Sequence, residues 1–311
     1  MNFDFVTVDG TLINEINFPL KKLALNKLKN FLRSEENSLK FLERFVDTLE
    51  ELELGSTFPA SVYEMIFMKF KKLKVLDVSL THAPKEETFY HNLRPNVSVK
   101  KLVIRDLLTK NEQKFQGFIG NLPNVESLTI IKSSLTKEAM QFISNNLQKL
   151  EELDMNTLEG SPFKDVVLSN IKSLRINYLK TVSIEDWHAI CLSLPNIQNF
   201  LVKNVLQMSS LSAPSFRIFS QGWKNLTNID LGSGFIPSER IFTVLLRNTN
   251  NLKTVSIPVK DKNPTLADSI HRSFEKVQGP RLFYKSSKQQ RQKHVGLWSN
   301  EDSWEHFSNY W

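Results

Sequence analysis

The chain has 311 residues and a formal net charge of +7, and 41% of its residues are hydrophobic, enough for a large core. Its single cysteine, Cys191, excludes intrachain disulfides and any zinc site built from several cysteines. The first residues lack the basic start and apolar run of a secretory signal, and no apolar stretch is long enough to predict a membrane-spanning helix. We therefore expect a cytoplasmic or nuclear protein that does not enter a membrane.

A short apolar pattern, Leu-x-x-Leu-x-Leu, dominates the chain after residues 1–18, which are themselves predicted to form an N-terminal cap. The pattern recurs about ten times at a spacing near 25 residues, a period that indicates a repeat architecture. Its first members are Leu20, Leu49, Leu73, Val99, Val125, Leu150, Ile171, Ile197, Leu226 and Leu252.

Each repeat combines a strand with a helix. In the second repeat, Leu52 and Leu54 are two residues apart and therefore point to the same side of a strand, whereas Glu51 and Glu53 point to the other side. Between strands, as in residues 137–148, apolar residues recur at intervals of three and four, which predicts helices with one buried face. The connection that contains Gly160-Ser-Pro162 is shorter and is predicted to be irregular or to hold a very short helix.

Stacking such units determines the shape of the fold. Helices need about 10 Å per neighbour and strands about 4.8 Å, so the stack must curve with its strands inside. The prediction is an α/β solenoid, or horseshoe, of about ten repeats, with a parallel concave β-sheet and helices on the convex face.

Over roughly residues 18–260 the chain resembles the leucine-rich-repeat family. The period, the helices and the phrases Leu122-Pro-Asn-Val125 and Leu194-Pro-Asn-Ile197 resemble the intracellular type found in F-box/leucine-rich-repeat proteins and ribonuclease inhibitor. The Asn or Cys that usually follows the strand in this family is replaced by Leu28, Leu107, Leu158 and Leu179.

The resemblance implies a protein-interaction scaffold and, by analogy with F-box proteins, substrate recognition for a cullin-type ubiquitin ligase. An F-box is longer than the segment that precedes Leu20. We therefore expect that the chain has lost its F-box, is a fragment of a longer gene product, or lies outside that group. A stoichiometric inhibitor or regulator of the ribonuclease-inhibitor type is the alternative that the same resemblance implies.

The C-terminal part departs from the repeat period. A final helix is predicted over residues 266–278, so the repeat domain is assigned to residues 19–279 and a tail to residues 280–311. Residues 281–294 are basic without any acid and are predicted to be disordered, whereas the aromatic segment from Trp298 to Trp311 is predicted to pack. A nucleic-acid-associated role through this basic tail is a further alternative.

No motif in the sequence predicts catalysis, a cofactor or a metal site. Thr7-Val-Asp9-Gly resembles a phosphatase motif but has Thr7 where that chemistry needs a carboxylate nucleophile. His188 and Cys191 lie three apart on a mostly apolar helix, which favours a buried structural cysteine. Gly232-Ser-Gly234 is predicted to be a turn that leaves a strand. We therefore expect a protein that is not an enzyme.

The predicted concave face carries nearly equal numbers of basic and acidic residues, the opposite of a nucleic-acid site. Either it is an ordinary solvated strand face, or it is a charge-patterned surface that binds a protein partner, such as a ubiquitin-ligase component. Apolar residues predicted to be exposed there, including Val75, favour the second interpretation. The predicted partner-binding residues are Lys101, Val103, Arg105, Ile131, Arg175, Leu201 and Lys203.

Overall fold

The computed structural model describes residues 19–25, 35–55, 58–80, 84, 89–90, 92–106, 112–249, 251–259 and 281–286. Within them, eleven strands form one sheet in chain order, and every neighbouring pair is parallel. The strands are β1 Lys22–Ala24, β2 Glu51–Leu54, β3 Val75–Ser79, β4 Lys101–Arg105, β5 Ser127–Ile131, β6 Glu152–Leu158, β7 Ser173–Leu179, β8 Asn199–Val205, β9 Asn228–Ser233, β10 Thr254–Val259 and β11 Arg281–Ser286.

Helices alternate with these strands, as the repeat pattern predicts. Those in the described residues are α1 Glu35–Glu43, α2 Ala60–Lys69, α3 Glu112–Gly120, α4 Lys137–Asn146, α5 Ile184–Ser193, α6 Ala213–Gly222 and α7 Glu239–Asn248. The connection between β6 and β7 contains no helix, which confirms the irregular segment predicted around Gly160. Strand length also changes along the sheet, from three residues in β1 to seven in β6, β7 and β8.

The predicted core is confirmed. The apolar strand positions that were expected to face the helices are each exposed by no more than 1%. They are Leu52, Leu54, Leu76, Leu102, Ile104, Leu128, Ile130, Leu153, Leu174, Ile229 and Leu231. Since consecutive strands pair in register at these positions, each repeat buries its apolar residues against both neighbours.

Aromatic side chains strengthen the packing between α5, α6 and the strands beneath them. The ring of Phe219 lies 4.7 Å from that of Trp187 and 4.8 Å from that of Trp223, and Trp223 in turn lies 5.1 Å from Phe200. Such pairs add to the stabilisation that comes from burial alone. Two successive repeats therefore share one aromatic cluster.

Asparagines at the turns before the strands link successive repeats. The side-chain amide of Asn124 donates to the carbonyl of Val97 at 2.8 Å, and that of Asn196 donates to Ser169 at 2.8 Å. Leu158 and Leu179, which occupy the family's usual Asn position after the strand, are fully buried; Leu28 and Leu107 lie outside the described residues. In these repeats, the link between neighbours is therefore made before the strand.

Strand β11 corrects the prediction for the C-terminal part. Disorder was predicted from residue 281, but residues 281–286 pair with β10, and Leu282 and Tyr284 stand in register with Val255 and Ile257. The apolar run of this strand is only three residues long and has a basic residue on each side, Arg281 and Lys285, so its strand pattern was not recognised in the sequence. The predicted cap at 1–18, the helix at 266–278 and residues 287–311 lie outside the described residues, and the division into cap, repeat domain and tail stays a prediction.

Candidate functional site

The parallel register arranges the side of the sheet opposite to the helices, which we call the concave face, into rows of side chains. One row, the central row, runs across β2 to β9. It consists of Glu53, Asp77, Val103, Thr129, Asp154, Arg175, Leu201 and Asp230. Residues that are far apart in the sequence are therefore neighbours at a spacing of about 4.8 Å per strand.

Arg105 joins three strands through an ion-pair network. Its guanidinium donates to Asp77 through Nε at 2.8 Å and through a terminal nitrogen at 2.7 Å, and it also contacts the Glu53 carboxylate at 2.8 Å. The Asp77 side chain is only 9% exposed. Burial raises the pKa of the Asp77 carboxyl, and the two hydrogen bonds from Arg105 counteract that rise. Arg105 is therefore a tie between β2, β3 and β4.

This network changes the interpretation of two residues that were predicted to bind a partner. The hydrogen bonds of Arg105 to Asp77 and Glu53 serve the fold, a role that its sequence position does not reveal. Val103 was expected to be exposed, and this expectation is wrong: it lies in the central row between Asp77 and Thr129 and is 3% exposed.

The remaining predicted residues fall into two groups. Lys101 and Ile131 lie on β4 and β5, whereas Arg175, Leu201 and Lys203 lie on β7 and β8. Ile131 and Leu201 are half-buried, and Lys203 is exposed. The strand between the two groups is β6, which presents two acidic residues, Glu152 and Asp154, to the concave face.

Asp154 is the residue that sequence reasoning did not single out. Its Oδ1 atom is buried and has no hydrogen-bond partner. Burial raises the pKa of its carboxyl to about 6, although the positive charges of Arg175, Lys101 and Lys203 lower it. The one signal in the sequence was that Glu152 and Asp154 separate two basic groups. A buried carboxylate oxygen without a hydrogen bond in the middle of a sheet face therefore marks this position as a candidate site.

Replacing Asp154 with Asn should stabilise the protein at neutral pH. The pKa of the Asp154 carboxyl is about 6 in the folded state and 3.8 in the reference state, so the folded state binds the proton more tightly. The protonated carboxyl costs no stability below about pH 4. The cost of the buried charge grows as the pH rises from there and is complete above about pH 6. We expect Asp154→Asn to raise the free energy of unfolding by about 1 to 3 kcal/mol at pH 7.5 and by almost nothing at pH 4. Urea denaturation at the two pH values measures both.

The matched control is Asp47→Asn, since Asp47 is exposed and its backbone lies outside the left-handed region. It should bring no stabilisation at pH 7.5. An equal gain for Asp154→Asn at both pH values would contradict the assignment of the buried charge.

On β9 and β10 the concave face carries amide and hydroxyl side chains beside Asp230 of the central row. Asn228 donates to the side chain of Asn199 at 2.6 Å, Thr254 donates to Asn228 at 2.5 Å, and Ser233 donates to Asn204 at 2.5 Å. These polar side chains hydrogen-bond to one another across neighbouring strands. The density of charge on the face therefore falls beyond Lys203.

The other motifs give no catalytic arrangement in the described part of the chain. Cys191 is buried, and burial raises the pKa of its thiol, so it is a poor nucleophile. Gly232 lies in β9 against the backbone of Lys203, where a Cβ atom would come within 1.9 Å of the carbonyl oxygen, and Gly234 turns directly after the strand with a φ of 81°. This confirms the predicted turn. No group of three or more potential metal ligands occurs among the described residues.

None of the helices in the described ranges is both long and apolar enough to cross a membrane.

The repeated strand–helix units, the single parallel sheet and the shared core together define the fold. It is a leucine-rich-repeat solenoid. No protein-family model matches the chain, and no curated protein matches it. Among solved structures it is similar to the crystal structure of human 5T4 (Wnt-activated inhibitory factor 1, trophoblast glycoprotein). The identity is 15%, the TM-score is 0.30, and the match covers 66% of this chain and 64% of that one. A similarity of this size says nothing about what this leucine-rich-repeat chain binds.

Proposed function

We propose that the protein is a non-catalytic scaffold that holds a protein partner on its concave face. The observation that supports this is Asp154, whose buried Oδ1 lacks a hydrogen-bond partner at the centre of the charged part of the face. A polar atom left in this state costs stability, and such costs concentrate at functional sites. The Oδ1 atom itself is covered, so a partner would lower this cost by placing positive charge beside the carboxyl.

The residues around Asp154 have the properties of a protein-binding surface. Ile131 and Leu201 are half-buried apolar side chains on either side of it and offer contact area to a partner. Lys101 and Lys203 form no ion pair with any carboxylate of the described residues. They are therefore available to oppositely charged groups, which set specificity and association rate more than affinity.

Reversing these two lysines tests the proposal. We expect Lys101→Glu combined with Lys203→Glu to weaken binding of the concave-face partner by about tenfold or more, because two attractive contacts become repulsive. Tagged full-length wild type and variant are compared by affinity purification with quantitative mass spectrometry. Partners that the wild type retains and the variant loses are then measured by titration with the purified proteins.

The matched control makes the same change in charge outside the concave face. Lys71 and Lys164 are exposed residues in connections between elements, so Lys71→Glu with Lys164→Glu should leave the partners bound. If the concave-face variant and the control retain the same partners equally, the binding site lies elsewhere on the molecule.

Substrate recognition for a cullin-type ubiquitin ligase is the finer form of this proposal, and it rests on the family resemblance alone. Recovery of the cullin adaptor in the same purification would support it. A stoichiometric inhibitor would instead retain one enzyme and abolish its activity at equimolar ratio. Both forms place the protein in the cytoplasm or the nucleus.

Nucleic-acid binding through the basic tail is favoured less, because Arg281 and Lys285 belong to strand β11. A tail-driven polyanion binder would lose affinity steeply with salt, which separates it from the protein-binding proposal.

A further inference from the structure

An apolar patch lies at the rim of the sheet where the strands end. In the described residues seven large apolar side chains are exposed, and three of them, Leu206, Met208 and Ile236, lie in the connections that follow β8 and β9. Their exposed fractions are 59%, 61% and 50%. We call these three residues the rim patch. The other four are scattered over different elements, so the rim patch is where exposed apolar surface concentrates.

The two connections that carry the rim patch run side by side. Asn204 of β8 pairs with Ser233 of β9, and a Cβ atom on Gly234 would come within 2.1 Å of the carbonyl oxygen of Val205. The chain that continues to Leu206 and Met208 therefore leaves the sheet next to the chain that continues to Ile236. The two connections therefore start side by side, and their apolar side chains lie at the same rim of the sheet.

The last strand directs the C-terminal segment towards this rim. Because β11 is parallel to β10, with Ser286 in register with Val259, it ends at the same rim as β8 and β9. The distance from β11 to these strands is about 10 to 15 Å at the usual strand spacing. Residues 287–297, which lie outside the described residues, can span about 35 Å when extended.

The segment that follows has the composition to cover an apolar patch. Between Trp298 and Trp311 it carries five aromatic residues, whose burial is strongly favourable. The same segment is acidic through Glu301, Asp302 and Glu305. The exposed Lys203, three residues before Leu206, supplies a positive charge beside the rim patch.

We propose that residues 298–311 of this chain dock on the rim patch formed by Leu206, Met208 and Ile236. The aromatic side chains cover the apolar residues, and the acidic ones face Lys203. The segment then binds the side of the solenoid three repeats before its end, and it does not cap the exposed edge of β11.

Cysteine cross-linking in the intact full-length chain tests this docking. Ile236→Cys combined with Ser303→Cys is treated with a short bismaleimide, and the internal cross-link is followed by gel mobility. The native Cys191 is buried and does not compete. We expect this pair to cross-link about tenfold or more faster than Val97→Cys combined with Ser303→Cys, because Val97 is equally exposed but lies at the opposite rim.

A second variant tests whether the cross-link forms because the segment docks or only because its tether is long enough. Adding Leu206→Ser and Met208→Ser to the Ile236→Cys/Ser303→Cys pair leaves the tether unchanged and removes the apolar surface. The cross-linking rate should then fall to that of the Val97 pair. If the serine substitutions leave the rate unchanged, or if both cysteine pairs react at the same rate, residues 298–311 do not bind the rim patch. Circular dichroism confirms that each variant is folded, and substitutions at exposed positions change stability little.

Discussion

Replacing Arg105 with Glu should lower the free energy of unfolding by about 3 kcal/mol, in spite of the position of Arg105 on the surface of the sheet. The substitution removes the donors that bind Asp77 and Glu53 and places a third carboxylate beside them. Because the Asp77 side chain is 9% exposed, water cannot replace the lost hydrogen bonds. Urea denaturation at pH 7.5, followed by circular dichroism, measures the change.

Lys101→Glu is the matched control for this substitution. Lys101 lies on the same strand and undergoes the same change in charge, but it forms no ion pair with the described carboxylates. Its cost should stay below about 1 kcal/mol. Equal costs for the two variants would show that the ion-pair network contributes nothing to stability.

The network also decides which variants can test binding. A reversal of Arg105 together with Arg175 is the substitution that the sequence alone suggests, since both were predicted to contact a partner. Any loss of binding in that variant would be confounded with loss of folding, because Arg105 ties β2, β3 and β4 together. Lys101 and Lys203 avoid the problem and are therefore the better pair.

Replacing Leu128 with Ala should cost about 2 to 5 kcal/mol of unfolding free energy. Leu128 is fully buried and stands in register between Leu102 and Leu153, so the cavity opens between two repeats. Since each repeat is stabilised mainly by its neighbours, the loss weakens two interfaces. Thermal and urea denaturation of the purified variant measure it.

Leu192→Ala provides the comparison, because Leu192 is 76% exposed on helix α5. This substitution removes the same atoms as Leu128→Ala but opens no cavity. Its effect should lie within about 0.5 kcal/mol of zero. A loss for Leu128→Ala as small as that for Leu192→Ala would mean that the solenoid does not pack as described.

The fold could be predicted because its cause is local and periodic. Leu52 and Leu54 recur in equivalent form in each repeat, and a period near 25 residues leaves few architectures other than stacked strand–helix units. Capping residues are equally local: Ser183 and Asp186 form the reciprocal capping box that their spacing indicates. Strand β11 escaped prediction because its short apolar run lies between basic residues in a polar segment.

The candidate site could be predicted only in part, because it depends on contacts between repeats. The Arg105 side chain reaches Glu53, which lies 52 residues earlier in the sequence. This contact depends on the register of three strands and on the conformation of the Arg105 side chain. The burial of Val103 and the unpaired oxygen of Asp154 depend on neighbours from adjacent strands. A sequence shows which residues lie on the face, but not which of them already bind one another.

The unequal strand lengths give the molecule a mechanical polarity. A force that pulls the two ends of the chain apart loads each interface between strands in turn, and the shorter strands of β1 to β5 share fewer backbone hydrogen bonds than the seven-residue strands β6 to β8. Among β1 to β8, the N-terminal repeats would therefore peel away first. The block held by Trp187, Phe219 and Trp223 would remain, with Asp154, Arg175, Leu201 and Lys203 still in place, while the half of the face that carries Lys101 and Ile131 is lost. Tension along the chain would in this way remove half of the proposed binding surface, while the other half of the molecule stays folded.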